Sequence, residues 1–277
     1  MTRLVRALAL AGACLVGELM GTSDASACRP VPSLEASRLP KSGKVVEVID
    51  GDTFTLKGGL QVRLVGMQAP KLSLGRKGFK DWPLADEAKR ALEALTLHKT
   101  VALFPGETAI DRNGRLLAQV HVASDKTGDE IWVQGEMIET GLARVYTWKD
   151  NRVCAPALYA REHVARAARR GIWALPYYAV RKANAIAAGD IDTFQIVSGT
   201  VVDVADRGGR IYLNFGTDWR SDFTASVAPD DRAGFTDAAD TLARLKGKKV
   251  EIRGWLESYN GPMMAFTHPE QLELVQP

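Results

Sequence analysis

From Lys44 onward, apolar and polar positions alternate. Val46 and Val48, then Phe54 and Leu56, recur with the period of two that marks a half-buried strand. Asp50-Gly51-Asp52-Thr53 interrupts the alternation, and a glycine between two acids permits a sharp bend or bulge there. A second turn at Gly58-Gly59 leads into a short strand over 62–65 that carries Arg63. Residues 72–83 are rich in Gly, Lys and Arg and show no sustained period, which predicts a mobile loop over a site. Ala88, Leu92 and Leu95 share one face of a predicted helix over 85–97. Strands are predicted over 100–104, 116–122 and 131–133, then a short helix stopped by Gly141. An Ala/Arg-rich helix over 157–170 ends at Gly171, with Ile172-Trp173 packing back on the body.

Beyond that helix the chain repeats itself. The segment from Ser198 to Asp206 echoes that from Ser42 to Asp50, with six identities in nine positions. Strands over 211–215 and 223–227, a helix over 231–245, and strands over 249–256 and 263–267 follow. Three strands, a helix and two strands is the order of an OB-fold. The predicted class is therefore β-rich α+β, with two tandem OB-fold-like five-stranded barrels, the first carrying additional helices. Their expected bounds are 40–176 and 193–277, with 177–192 as the linker.

The first 27 residues add a targeting signal. Arg3 and Arg6 give a basic start, residues 4–16 are mostly apolar, and Ala25-Ser26-Ala27 offers a small-residue cleavage site. The apolar run is too short to span a bilayer and is followed by Glu18, so the expectation is export without stable membrane insertion. A lipid anchor on Cys28 is the rival, and Ala25 is a poor match to the leucine that anchor requires. Cleavage would leave Cys28 and Cys154, which in an oxidising periplasmic or extracellular setting predicts one disulfide, the alternative being two unpaired thiols. A formal charge of +3 and a pI near 8.7 permit contact with an anionic polymer without demanding it.

Two carboxylates and an arginine on adjoining strands suit a hard cation and a phosphate; the plain alternative is a twisted hairpin with solvated acids. Ile49-Asp-Gly-Asp-Thr53, the Arg63-Leu-Val-Gly66 run ending in Ala69-Pro70, and Asp111-Arg-Asn-Gly-Arg115 together resemble the thermonuclease (staphylococcal-nuclease-like) family over about residues 43–173. The resemblance implies phosphodiester hydrolysis. In that chemistry carboxylates hold calcium, a glutamate helps water attack phosphorus, and two arginines stabilise the charge building on the phosphoryl group. Carried over by motif, Asp52 and Asp50 are metal carboxylates, Arg63 and Arg115 clamp phosphate, and Asp111 braces the turn presenting Arg115. Tyr146 and Trp148 fall where the family stacks a base.

Two positions depart from the family pattern. Gln68 stands for the second metal-ligating aspartate, and Lys71 for the glutamate. A lysine ~5 Å from a divalent ion would cost roughly 5–7 kcal/mol at an effective dielectric near 20, enough to abolish millimolar binding. An ammonium cannot act as general base at neutral pH. The expectation is a pocket of Asp50, Asp52, Arg63 and Arg115, with Gln68 and Lys71 at its edge. It should prefer phosphate or nucleotide over weakened calcium.

Three functions remain open: phosphate and nucleic-acid recognition with weak or lost hydrolysis; an active nuclease with a rearranged mechanism using Lys71 and Asp86 or Glu87; and a non-enzymatic periplasmic scaffold. In the second repeat Asp206 matches Asp50, but Gly208 stands where Asp52 does. Trp219, Phe223, Trp255 and Tyr259 read either as a base-stacking platform or as core and rim aromatics. Asp218, Asp222, Asp230 and Asp231 weigh against a basic groove, which favours a structural or interaction role.

Overall fold

The computed structural model describes residues 28–275 apart from Glu35, so the expected signal peptide lies outside the described residues. The fold is β-rich α+β. Its N-terminal half comprises β1 (Ser42–Asp50), β2 (Thr53–Leu56), β3 (Gln61–Leu64), β4 (Gly66–Gln68), α1 (Ala85–Thr96), β5 (Thr100–Ile110) and β6 (Leu116–Ala123). It continues through β7 (Glu130–Trp132), α2 (Val133–Glu139), β8 (Arg144–Tyr146) and α3 (Ala155–Ala167). The C-terminal half holds β9 (Arg181–Lys182), β10 (Phe194–Thr200), β11 (Asp203–Arg207), β12 (Arg210–Asn214), β13 (Thr224–Val227), α4 (Ala238–Ala243), β14 (Lys249–Ser258), β15 (Pro262–Ala265) and β16 (Leu272–Leu274).

Register explains how β1 serves two neighbours. Ser42 to Lys44 pair with β5, whereas Val45 to Asp50 pair with β2. Register shifts between Val45 and Glu47 and between Val48 and Asp50 break the period of two. Val45 and Val48 therefore both reach the core, while Val46 is 43% exposed, against the sequence expectation. β2 pairs with β3, β3 runs parallel to β6, and β5 pairs with β6. The second half repeats this order. β11 pairs with β12, β12 with β13, β13 runs parallel to β15, and β15 and β10 both pair with β14. Ser42 lies opposite Ala102 of β5 and Ser198 opposite Glu251 of β14; Asp50 lies opposite Thr53 and Asp206 opposite Ile211. The nine-residue echo thus occupies matching places in the two sheets.

Each half has its own core. Phe54, Leu64, Met67, Leu92, Leu116 and Ile138 are fully buried in the first, and Phe223, Ile252, Met264 and Phe266 in the second. Burying each such side chain stabilises by about 1.5–3 kcal/mol. Phe223 belongs to the core and not to a stacking platform. The helix expected over 231–245 is broken: a 3-10 turn at Pro229–Gly234 precedes α4, with Phe235 extended between them and Asp237 at φ 46°. The cause is Phe235, whose ring packs edge-on against Phe266, 5.7 Å away. No helix among the described residues is long and apolar enough to cross a membrane.

Cys28 and Cys154 are brought together, as the sequence led us to expect, but the disulfide is not formed. Both are free, buried thiols. The contact between them lowers the pKa of Cys28 and raises that of Cys154, and burial pushes both upward.

The halves are joined by buried charge. Arg253 of β14, 2% exposed, donates to both oxygens of fully buried Glu162 on α3 at 3.1 and 2.9 Å. It also reaches the Val145 carbonyl at 3.1 Å and Glu273 at 3.1 Å, and lies 4.4 Å over the Tyr159 ring. Glu162 in turn accepts the Val145 amide at 2.6 Å. Removing one member of a buried pair strands the other, at a cost of about 3–5 kcal/mol. Glu162→Ala should lower unfolding stability in urea by that amount. The double change Glu162→Met with Arg253→Met should recover most of the loss; equal losses in both variants would contradict the pairing.

Candidate functional site

The turn between β1 and β2 places its two carboxylates side by side. Gly51 makes this feasible, because a Cβ there would meet the Ala69 and Ala88 side chains at 2.7 Å. No side chain fits between the turn and α1. Asp50 Oδ1 accepts the Asp52 amide at 3.1 Å, which aims the Asp52 carboxylate inward, where it is fully buried.

Asp52 is saturated by protein groups. Lys71 Nζ lies 2.6 Å from each of its oxygens and 3.2 Å from Asp50 Oδ2. Arg63 Nη1 stands 2.6 Å from Asp52 Oδ2, and the Ala69 amide donates to the same oxygen at 3.0 Å. Thr53 adds a hydroxyl at 3.2 Å. Burial alone would raise the pKa of Asp52, but Arg63 and Lys71 outweigh it and hold the carboxyl below the usual carboxylate range. Asp50 moves the opposite way. Burial and the neighbouring Asp52 charge raise its pKa, and Lys71 offsets only part of that.

The other expected site residues divide. Arg115 does not join the cluster. Its Nε and Nη2 lie 2.8 and 2.7 Å from Asp111 Oδ2, while Asp111 Oδ1 accepts the amides of Asn113 and Arg115. Asp111 thus braces the turn as expected, and it also neutralises the arginine. The charges close among themselves: Arg63 and Lys71 balance Asp50 and Asp52, and Arg115 balances Asp111. Gln68 is turned to another partner, its Oε1 accepting Arg144 Nε and Nη2 at 3.1 and 2.7 Å. Lys71 sits at the centre and not at the edge. Asp86 and Glu87 open α1 on its exposed side, where they favour the helix dipole and Glu87 pairs with Arg90.

Arg144 was not found by sequence reasoning. It is 5% exposed on β8, opposite Gln68 of β4, and its guanidinium lies 4.4 Å from the Phe194 ring centre and 5.8 Å from those of Trp82 and Tyr178. Only its apolar neighbours Ala143 and Val145 hinted at burial. Tyr146 packs between Trp148 at 5.2 Å and Phe194 at 4.9 Å. The C-terminal half therefore covers part of the expected stacking surface, leaving Trp148 52% exposed beside a groove of about 360 Å³ between the halves.

The donor set does not fit a divalent cation. An ammonium holds both oxygens of Asp52, the Gln68 oxygen is engaged elsewhere, and the described residues contain no group of three His, Cys, Asp or Glu able to hold a metal.

Residues 61–175 match the staphylococcal nuclease homologue family. That stretch is similar to staphylococcal nuclease homologues. The match takes in Arg63, Gln68, Lys71, Arg115, Tyr146 and Trp148, and begins after Asp50 and Asp52. No curated protein matches the chain.

Lys71→Met tests the cluster around Asp52. Asp52 would keep Arg63, so the loss at pH 7 should be about 2–4 kcal/mol. Asp50, whose pKa is already raised, should rise further without the ammonium. A group with a raised folded-state pKa contributes stability at low pH that is lost as pH rises through that value. Lowering the pH from 7 to 5 should therefore narrow the gap between variant and wild type in urea melts. A gap that is constant or widens would contradict the arrangement.

Proposed function

We propose that this is an exported, periplasmic or secreted protein that recognises phosphate in nucleic acid, with phosphodiester hydrolysis weak or lost. The observation that carries the reading is the contact of Lys71 Nζ with both Asp52 oxygens at 2.6 Å. The ammonium supplies the positive charge that a metal would bring, but it offers no bound water and polarises no phosphoryl oxygen as a Lewis acid does. Being protonated, it takes no proton from water. Calcium would have to displace it and is accordingly weakened as a ligand.

Phosphate recognition rests on the family match and on the arginines. Arg115 engages Asp111 through Nε and Nη2, which leaves Nη1 for a phosphate oxygen. We further propose that both halves are OB-like five-stranded barrels, bounded near 40–176 and 193–277. The supporting observation is the shared order of strand pairings, including the parallel pairs β3–β6 and β13–β15. In the second half, β10 and β11 together play the part of β1.

A fluorogenic single-stranded DNA with calcium, magnesium or manganese, followed alongside DNA-binding anisotropy, tests the reading. The expected result is no metal-dependent cleavage, with salt-sensitive binding that weakens in Arg115→Ala. Metal-dependent cleavage abolished by Arg63→Ala would instead establish an active nuclease. Binding unaltered in both arginine variants would overturn phosphate recognition at this site.

A further inference from the structure

The C-terminal half carries a second cavity, of about 570 Å³, on the outer face of β11, β12, β13 and β15. Its floor follows from register. Asp203, Ala205 and Arg207 of β11 lie opposite Asn214, Tyr212 and Arg210 of β12, and Asn214 lies opposite Thr224, which lies opposite Met263. Two loops rise over one end of this floor and bring Trp219 and Tyr259, 48% and 63% exposed. Two large aromatic side chains exposed together at the rim of a cavity mark a surface suited to a ligand.

The rim is built and braced. Asp222 Oδ2 accepts the Asp218 amide at 2.8 Å, and Asp218 accepts the Arg220 amide at 3.2 Å and the Ser221 hydroxyl at 2.9 Å. The hairpin loop packs on this one so closely that a Cβ on Gly261 would lie 2.7 Å from the Ser221 backbone. These contacts also change the electrostatics expected from sequence. Asp203 pairs with Lys246 at 2.7 Å and Asp206 with Arg232 at 2.8 Å, while Asp218 and Asp222 keep their charges, held by the amides and hydroxyl of their own loop. Arg207, Arg210 and Arg220 have no carboxylate within ion-pair distance among the described residues. Arg220 lies 4.2 Å over the Trp219 ring, and Arg210 reaches only the Ser226 hydroxyl at 3.3 Å.

We propose that this face binds a single strand of nucleic acid. Trp219 and Tyr259 stack its bases, and Arg207, Arg210 and Arg220 meet its phosphates. Aromatic platforms flanked by arginines without carboxylate partners suit an unpaired strand, whose bases are free to stack and whose backbone is charged. Asn214 and Asn260 line the same cavity and can hydrogen-bond base edges. No residue of the Asp52 site takes part, so this site stands independently of the reading given to the first half.

Anisotropy with a short fluorescein-labelled oligothymidylate, using the full exported chain, decides it. In an Arg63→Ala/Arg115→Ala background, which disables the first site, binding should persist and fall with salt. Adding Trp219→Ala with Tyr259→Ala should weaken it about tenfold or more, whereas Trp219→Phe should stay near the parent. Arg207→Glu, a change at the surface, should weaken binding and reduce its salt dependence even if the aromatic variants fold poorly. Circular dichroism and melting temperature report folding in each variant. Loss of all binding in the arginine background, or unchanged affinity in folded Trp219→Ala/Tyr259→Ala and in Arg207→Glu, would overturn the proposal. Preferential binding of an uncharged chito-oligosaccharide to this face would overturn it as well.

Discussion

A fully buried carboxylate needs a cation, and the chemistry of the first half depends on which cation Asp52 has. An uncompensated charge at that depth would cost several kcal/mol, more than most single contacts in a domain return. Lys71 meets the need from within the chain, together with Arg63 and the Ala69 amide. An internal ammonium always sits at high effective concentration beside its partner, so an external ion must break an existing pair before it can bind. The turn between β1 and β2 keeps its two carboxylates together while the chain itself supplies the counter-charge.

The neighbourhood has adjusted to this arrangement. Gln68 faces Arg144, a neutral oxygen against a buried guanidinium, and the cation rests on aromatic rings that include Phe194 of the second half. Phe194 also packs on Tyr146. Together with the Glu162–Arg253 pair, these contacts hold the C-terminal half against β8 and α3. The second half thus acts on the first by covering aromatic surface, and it presents a separate face to solvent.

Much of the fold could be read from the chain because local signals and tertiary structure agree. The Ser42 and Ser198 echo marks matching strand positions, and α1 follows the spacing of Ala88 and Leu92. Where the reading failed, a long-range contact prevailed. Bulges in β1 turned Val46 outward, and Phe235 left a helical pattern to reach Phe266. The motifs identified Asp50, Asp52 and Arg63, and singled out Lys71 by its departure from the family. They could not show that Arg115 brings its own counter-ion, because Asp111 serves both the turn and the guanidinium. Arg144 and Arg253 were invisible for a related reason: each is buried by residues distant in sequence.

Calcium titration followed by isothermal calorimetry, on wild type and Lys71→Glu in parallel, tests the central claim most directly. With the ammonium holding both oxygens of Asp52, wild type should show no binding heat at millimolar calcium. Replacing it by a carboxylate beside Asp50 and Asp52 should create a site that saturates in that range. Saturable calcium binding by wild type, no weaker than that of Lys71→Glu, would contradict the assignment of Lys71 as the resident cation.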